Sequence, residues 1–282
     1  MFARIARLFS KPHEVVPDRD VAALVAPLAL PALRVATTDA ATRSRFGGDP
    51  DLPPGFAWPE RNGAKLAFLA RLSLAELHET GRIDWLPETG ALLFFYDVTE
   101  QPWGYDPQHR GGAMVLLVPE SADTPPAHRG WEPTHGDAPL ACRNIAFERI
   151  DSMPSAFHRV VEPLGLSDTE CELVHELHDE SLGNGPLHQV AGYPSPVQDD
   201  GMELQCQLVT HDLFCGDSSA YADPRAAALA PGASNWKLLF QIDSDEELGA
   251  AWGDGGTLYY WVEEARARGG DFGNAWLILQ CS

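Results

Sequence analysis

Three potential metal ligands occur at helical spacing in the stretch "SDTECELVHELHDESLGNG". Cys171, His175 and His178 stand at positions i, i+4 and i+7, so a helix would carry a thiol and two imidazoles on one face. Such ligands suit zinc or copper. However, "HELH" lacks the HExxH spacing of zinc proteases, and a fourth ligand would have to come from elsewhere. We predict neither a metal nor another cofactor and keep these residues as a candidate set, with a solvated or partly packed helix face as the alternative.

A second group of reactive residue types lies between Cys206 and Cys215. These thiols flank His211 and Asp212, and a thiol beside a base is the pattern of a cysteine nucleophile. Closeness in sequence does not establish closeness in space, and the chain contains no GxSxG elbow. Buried thiols are the simpler interpretation. The sequence therefore favours a noncatalytic protein, with an enzyme as the alternative because carboxylate sites leave no spacing signature.

The acidic run "DSDEEL" at residues 243–248 is the most calcium-like stretch in the chain. A calcium loop needs alternating oxygen ligands around a central glycine and a distal glutamate, and that pattern is absent. Asp243 corresponds to Ser73 in a similar earlier segment, and Glu246 corresponds to Glu76. A capping residue followed three positions later by an acid is typical of a helix start. We therefore predict a capped helix at both places.

Polar and aromatic residues gather in the loops and at the strand ends of the two similar segments. A cleft between related halves, with aromatic walls and a few polar groups, is a common form of ligand site. The alternative is that the tryptophans anchor the core and bond the backbone through their indole nitrogens. The candidate ligand-binding residues are Trp58, Trp103, Asp106, Tyr193, Gln198, Gln241 and Asp254.

The elements that would position these residues can be read from runs of aliphatic and aromatic side chains bounded by turn residues. Ser167 and Glu170 stand at capping-box spacing, so the sequence predicts a helix over 168–182. The segment "VAALVAPLALPALRV" predicts a helix interrupted by Pro27 and Pro31. Strands are predicted at "AKLAFLARLS", "GALLFFYDV", "GGAMVLLVPE", "NWKLLFQID", "GGTLYYWV" and "NAWLILQCS".

The predicted strands recur in the same order, which indicates an internal duplication. Residues 68–73 correspond to 238–243, 90–95 to 256–261, and 113–118 to 275–280. We predict an α+β fold of mainly antiparallel strands, with duplicated halves packed as one compact unit. The predicted parts are an N-terminal helical segment (1–30), a first repeat half (31–140), a helical insertion (141–185) and a second repeat half (186–282).

Several of these stretches together resemble the bacterial YwqG-like family, a domain of unknown function. They are "FGGDPDLPPGFAWPE", "LAFLARLSLAEL", "LLFFYDV" with "WGYDP", "GYPSPVQ", "LLFQIDSDEELGAAWGDGGTLYYWV" and "WLILQCS". The resemblance spans the chain from Pro31 to the carboxyl terminus. It implies an α+β fold with duplicated antiparallel halves, and it implies no activity, cofactor or catalytic residue.

The charge and composition of the chain limit the classes of partner that we expect. A formal net charge of −21 argues against nucleic acid, because phosphate binding relies on lysine and arginine. No apolar run approaches the roughly 20 residues of a membrane span. The basic amphipathic stretch 1–12 could contact an anionic lipid surface, or dock on its own protein. Five cysteines without a CxxC motif suit a reducing compartment, so we expect a cytoplasmic protein.

Complementary charge speeds encounter and selects partners, so this acidic chain is expected to bind a basic protein, as an inhibitor or immunity-like protein would. Acidity for solubility alone is the alternative. The candidate partner-binding residues lie in the predicted insertion, and they are Glu172, Glu176 and Asp179.

Overall fold

The computed structural model describes residues 19–120 and 140–282, so the basic stretch 1–12 lies outside the described part. The strands are β1 (Leu30–Thr38), β2 (Arg45–Phe46), β3 (Glu60–Arg61), β4 (Ala64–Lys65), β5 (Ala67–Ser73), β6 (Ala91–Tyr96), β7 (Ala113–Val118), β8 (Arg143–Ser152), β9 (Gln189–Ala191), β10 (Trp236–Asp243), β11 (Thr257–Glu263) and β12 (Trp276–Gln280). The α-helices are α1 (Val21–Val25), α2 (Leu74–Thr80), α3 (Asp168–Leu182), α4 (Met202–Val209), α5 (Ser219–Ala222), α6 (Ala226–Leu229) and α7 (Glu264–Arg268).

Ten of these strands form one sheet in the order β12-β11-β10-β9-β1-β8-β2-β5-β6-β7, and β3 pairs with β4 in a separate ribbon. Neighbouring strands in the sheet run antiparallel. The sheet curls until its edge strands, β7 and β12, contact each other, which nearly closes it into a barrel. The predicted combination of helices with mainly antiparallel strands is therefore confirmed.

The aromatic and aliphatic runs that the sequence predicted as strands are the buried strands of this sheet. In β6 (ALLFFY) every residue is buried, as in β5 and β12, because both faces of these strands are covered. The interior holds aromatic side chains from strands far apart in the sequence: the ring of Phe94 lies 5.0 Å from Phe240 and 5.1 Å from Tyr260.

The centre of the sheet was not predicted. Strands β1 and β8 pair over nine residues, from Leu30 with Ser152 to Thr38 with Asn144. The sequence predicted a helix continuing through the start of β1, but helix α1 ends at Val25 and the chain is extended from Leu30. β8 lies within the segment predicted as a helical insertion, which therefore contributes a strand as well as α3.

The two acidic segments predicted as helix starts differ from each other. Ser73 is the N-cap of α2, and its hydroxyl accepts a hydrogen bond from the Glu76 amide at 3.4 Å. At the second place no helix forms, since residues 246–249 make a turn. The Asp243 carboxylate accepts a hydrogen bond from the Thr257 hydroxyl at 2.7 Å instead. The capping prediction is therefore confirmed for Ser73 and wrong for Asp243, whose carboxylate links neighbouring strands.

Helices pack on the outside of the sheet and fix the loops between them. α3 packs on β8 and on α1, with Val174 buried between them. α4 packs on β10 and β12. The loops that follow β8 and β9 run between these two helices. In the described ranges, no helix combines the length and apolar character needed to cross a membrane.

Candidate functional site

A cleft of about 410 Å³ opens between α3, the loop after β8 and the loop after β9. We call it the acidic cleft, because its walls include the carboxylates of three aspartates and neither lysine nor arginine among the described lining residues. Its volume lies within the range of small-molecule sites. Its polar and aromatic lining residues include Ser155, Phe157, His175, His178, Asp179, Gln198, Asp199 and Asp200.

Helix α3 brings two histidines and one aspartate to the acidic cleft. Its N-terminus is fixed by a capping box: the Ser167 hydroxyl accepts from the Glu170 amide, and the Glu170 carboxylate accepts from the Ser167 amide at 2.8 Å. Arg19 donates two hydrogen bonds to the same carboxylate. These hydrogen bonds lower the pKa of Glu170 to about 2, and the largest contribution comes from Arg19. The helix predicted from the sequence over 168–182 is confirmed with the same bounds.

His178 lines the acidic cleft although only 4% of its surface is exposed. Its Nδ1 lies 2.7 Å from the carbonyl oxygen of Met153. A carbonyl can only accept a hydrogen bond, so Nδ1 carries the proton. In the neutral ring Nε2 is then an acceptor, and it has no hydrogen-bond partner among residues 19–120 and 140–282.

The opposite wall is the loop after β9, which side chains from the sheet hold in place. The Gln241 Oε1 accepts from the Ser195 amide at 2.9 Å. The Gln280 Oε1 accepts from the Val197 and Gln198 amides, each at 3.0 Å. The backbone of this wall is therefore anchored to β10 and β12, which leaves the next residues, Asp199 and Asp200, in fixed positions.

The two aspartates of this wall differ in environment. Asp199 is exposed, and its carboxylate accepts hydrogen bonds from the Gly201 amide at 2.8 Å and the Gln205 Nε2 at 3.0 Å. The Asp200 carboxylate accepts one from the Ser155 hydroxyl at 2.5 Å. Burial raises the pKa of Asp200, and the neighbouring His158 opposes that shift. The Asp200 charge is therefore incompletely compensated by its surroundings.

Three of the seven predicted ligand-binding residues lie in or around the acidic cleft. Gln198 lines the cleft, and the Gln241 side chain holds the loop after β9 through its hydrogen bond with Ser195. Tyr193 packs against His158, with 4.8 Å between ring centroids, and donates its hydroxyl to the Leu28 carbonyl. These contacts give Gln241 and Tyr193 positioning roles in the wall, and leave Gln198 in contact with the cleft itself.

The other four predicted residues lie elsewhere. Trp58 donates its indole N–H to the Leu66 carbonyl at 2.8 Å and packs edge-on against Phe95, as the core-anchor alternative expects. Asp106 caps a short 3₁₀ turn. Trp103 is 44% exposed, and Asp254 is also exposed. They do not line the acidic cleft.

A smaller cavity of about 170 Å³ lies where β7 and β12 approach each other. Burial lowers the pKa of His109 in its wall, and the Arg110 guanidinium lies 5.4 Å from the ring centroid of Trp276. None of the predicted site residues lines this cavity. It is below the size of a typical ligand pocket.

The candidate metal ligands are not assembled as a site. His175 and His178 line the acidic cleft, whereas Cys171 packs against the cluster that contains Val21 and Val174. Within residues 19–120 and 140–282, no three His, Cys, Asp or Glu side chains are placed to hold a metal ion. The imidazoles are therefore available to the cleft as hydrogen-bonding groups.

The possible cysteine nucleophiles are buried. Burial raises the pKa of Cys206 well above its usual 9.0 and that of Cys215 to about 11. Both thiols are thus protonated at neutral pH, and a thiol is a poor nucleophile in that form. The Nδ1 of His211 lies 2.7 Å from the carbonyl oxygen of Gln207. The buried-thiol interpretation agrees with this geometry.

The candidate partner-binding residues form one exposed surface of α3. Glu172, Glu176 and Asp179 are exposed, and none of them takes part in an ion pair within the described part of the chain. By contrast, Glu264, the acid of α7, is half-buried and paired with Arg268 at 2.8 Å. We call these three residues the α3 acidic face. Asp179 belongs both to this face and to the acidic cleft.

Sequence reasoning missed six residues that line the acidic cleft: Ser155, Phe157, Ser195, Pro196, Asp199 and Asp200. Ser155 and Phe157 come from the loop after β8, a strand that was not predicted. Asp199 and Asp200 directly follow Gln198, and a pair of acids in a loop is most often solvated. The one sequence signal for Asp199 and Asp200 is their adjacency to "GYPSPVQ", a stretch that carries the family resemblance.

Comparison with known proteins identifies a family whose description states no function. Residues 44–281 match the family described as "Domain of unknown function (DUF1963)", which covers most of the chain. No curated protein matches the chain.

Proposed function

The chain belongs to the DUF1963 family, whose description states no activity, and we propose from its surface chemistry that it is a noncatalytic binding protein for a basic protein partner. The observation that carries this proposal is the α3 acidic face, whose carboxylates have no cationic partner of their own in the described structure. An inhibitor or an immunity-like protein that masks a basic toxin would use such a surface.

The position of the charges on α3 adds support. Asp179 and Glu180 lie in the last turn of the helix, where the negative end of the helix dipole disfavours carboxylates. The helix has no basic residue in that turn to offset them. A cationic partner would remove this unfavourable interaction on binding, and complementary charge would also speed its approach.

A small-ligand-binding protein or an enzyme is the second candidate. The acidic cleft favours it, because a concave site with a buried imidazole and a half-buried carboxylate is where ligands bind and proton transfers occur. The cleft lies between α3 and the loops after β8 and β9, rather than between the two predicted repeat halves. A turnover abolished by one substitution that leaves the fold intact would promote this candidate.

We also infer that the protein works in the cytoplasm, because all five cysteines are free in this structure. The proposed closeness to the YwqG-like family rests on the motifs quoted above. The proposed duplication is supported by two matching irregularities: the β5–β6 register shifts between Phe68 and Ala70, and the β10–β11 register shifts between Leu238 and Phe240.

The test is affinity capture from a lysate of the native cells, followed by reconstitution with the purified captured protein. We expect one stoichiometric basic protein whose binding weakens as salt is raised, because exposed charge pairs are screened. A variant carrying Glu172→Lys, Glu176→Lys and Asp179→Lys should lose that partner.

A matched control reverses three other exposed acids, Glu79→Lys, Glu246→Lys and Glu247→Lys. It changes the net charge by the same amount, and it should retain the partner. Loss of binding in both variants would show that capture depends on the net charge of the protein and not on the α3 acidic face. A partner indifferent to salt and to the α3 variant would refute the proposal.

A further inference from the structure

We propose that the acidic cleft is a subsite for one organic cation, a protonated primary amine or a guanidinium, of the kind that a lysine or arginine side chain of the partner would insert. This inference deepens the proposed function and rests on it for the origin of the side chain. The chemistry of the cleft itself is independent of that origin.

The charge of the cleft selects a cation. Asp179, Asp199 and Asp200 reach it from two walls, and no lysine or arginine is among the described residues that line it. Arg159, which is near in sequence, is bound instead to the Glu203 carboxylate at 2.8 Å. An ammonium or guanidinium group in the cleft would therefore meet carboxylates without displacing an internal cation.

His178 supplies an observation independent of the acids. The side chain is almost fully buried, and its Nδ1–H is held by the Met153 carbonyl. His178 lines the cleft, and its Nε2 has no protein hydrogen-bond partner among the described residues. An N–H group of the cation would donate a hydrogen bond to this nitrogen in place of solvent.

Phe157 completes the site at its mouth. The side chain is 77% exposed, which is unusual for a phenylalanine, and its ring centroid lies 5.1 Å from that of His175. An aromatic face beside carboxylates attracts organic cations through the ring quadrupole. A hydrated inorganic ion would gain little from this ring, so the wall favours an amine or guanidinium.

The Asp200 carboxylate strengthens the binding of a cation in the acidic cleft. Its burial raises its pKa, which means that the ionised form is poorly stabilised in the empty cleft. A cation beside it would stabilise the ionised form. Charge-assisted hydrogen bonds from N–H donors to such a carboxylate are among the stronger polar contacts.

The experiment titrates the full chain with N-acetyl-lysine methylamide and N-acetyl-arginine methylamide, followed by calorimetry and by amide chemical shifts. The uncharged control is N-acetyl-norleucine methylamide, which keeps the aliphatic stem. We expect saturable binding of at least one cationic probe, with shifts at residues 155–157 and 195–200, and no binding of the norleucine probe.

Two variants test the residues. Asp200→Asn keeps an acceptor for Ser155 and removes the charge, and Phe157→Ala removes an exposed ring. Each should weaken the cationic probe by roughly tenfold, while Glu246→Gln, an exposed acid outside the cleft, should leave binding unchanged. Burial disfavours the charge of Asp200, so the Asp200→Asn protein should remain folded, and circular dichroism of each variant checks that lost binding does not reflect unfolding.

The outcomes separate this inference from the proposed function. Binding of the cationic probes that depends on Asp200 supports the subsite, even where affinity capture finds no protein partner. Equal binding of the norleucine probe, binding abolished by EDTA, or no binding of either cation overturns it. The last result, together with a partner captured through the α3 acidic face, would overturn the subsite and leave the proposed function standing.

Discussion

His188 is a histidine held neutral inside the sheet. It is 3% exposed, and its Nδ1 accepts a hydrogen bond from the Asp243 amide at 3.0 Å. The proton therefore sits on Nε2, which lies 3.2 Å from the Asp245 carboxylate. Phe46 packs on the ring, with 4.9 Å between centroids. Burial lowers the pKa of His188 below its usual 6.5, although Asp245 acts in the opposite direction.

This lowered pKa predicts a loss of stability in mild acid. Below pH 6.5 the unfolded chain takes up a proton at His188 before the folded protein does, so the free energy of unfolding falls as the pH drops toward the folded-state pKa. His188→Gln keeps an acceptor for Asp243 and a donor for Asp245 without titrating. Urea unfolding at several pH values between 7.5 and 5.5 gives the free energy of unfolding at each pH. This free energy should depend less steeply on pH for the variant than for the wild type. An equal dependence on pH in both proteins would contradict the prediction.

At this scale the sequence located part of the candidate site. Gln198 and the histidines of α3 were selected from their residue types and spacing. Asp200 was not, because its environment includes a hydrogen bond from Ser155, 45 positions earlier in the chain. Side-chain chemistry is visible in the sequence, but the desolvation that alters it comes from contacts between distant segments.

Among the elements, α3 was predicted with its correct bounds because its start signal is local. The Ser167 hydroxyl and the Glu170 carboxylate satisfy backbone amides at the helix N-terminus that otherwise have no partner. Ser167→Ala removes the side-chain acceptor and should lower the free energy of unfolding by about 1 kcal/mol. Urea denaturation followed by circular dichroism measures the change.

Ser167→Asp is the control, since an aspartate at the N-cap also accepts a hydrogen bond from the amide. It should stay within about 0.5 kcal/mol of the wild type. An alanine variant as stable as the wild type would mean that packing alone defines the start of α3.

Strands β1 and β8 were missed for the opposite reason. β1 begins with Leu30 and Pro31, both exposed, and Pro31 looked like the end of a helix. β8 carries many polar residues and alternates poorly, so its extended form is imposed by pairing with β1 and not by its own pattern. The Asp243 segment shows the same limit, because bonds to Thr257 replaced the helix that its sequence signal predicted.

At the scale of the whole molecule, strands β5–β7 and β10–β12 share one interior. The Tyr260 hydroxyl donates to the Phe95 carbonyl at 3.1 Å, and the Phe94 ring contacts Phe240 and Tyr260. Neither β5–β7 nor β10–β12 could keep these aromatic rings buried without the other. The folded chain should therefore unfold as one cooperative unit.

Unfolding followed by tryptophan fluorescence and by circular dichroism should give coincident transitions. Phe94→Ala removes a fully buried ring and should lower stability by roughly 3–5 kcal/mol while the two probes still coincide. Phe157→Ala, the exposed counterpart, should change stability by less than about 0.5 kcal/mol. Two separated transitions would show that the repeat halves fold independently.

The pairing of β1 with β8 has a consequence for how a cell makes this protein. β1 ends at Thr38 and β8 begins at Arg143, so a ribosome delivers the first strand long before its neighbour. At roughly 5–20 residues per second, the wait is on the order of ten seconds. During that time the backbone groups along β1 have neither of their native neighbours, β8 or β9, and they are open to a strand of another nascent chain. The risk of misassociation is therefore greatest before residue 152 has left the ribosome.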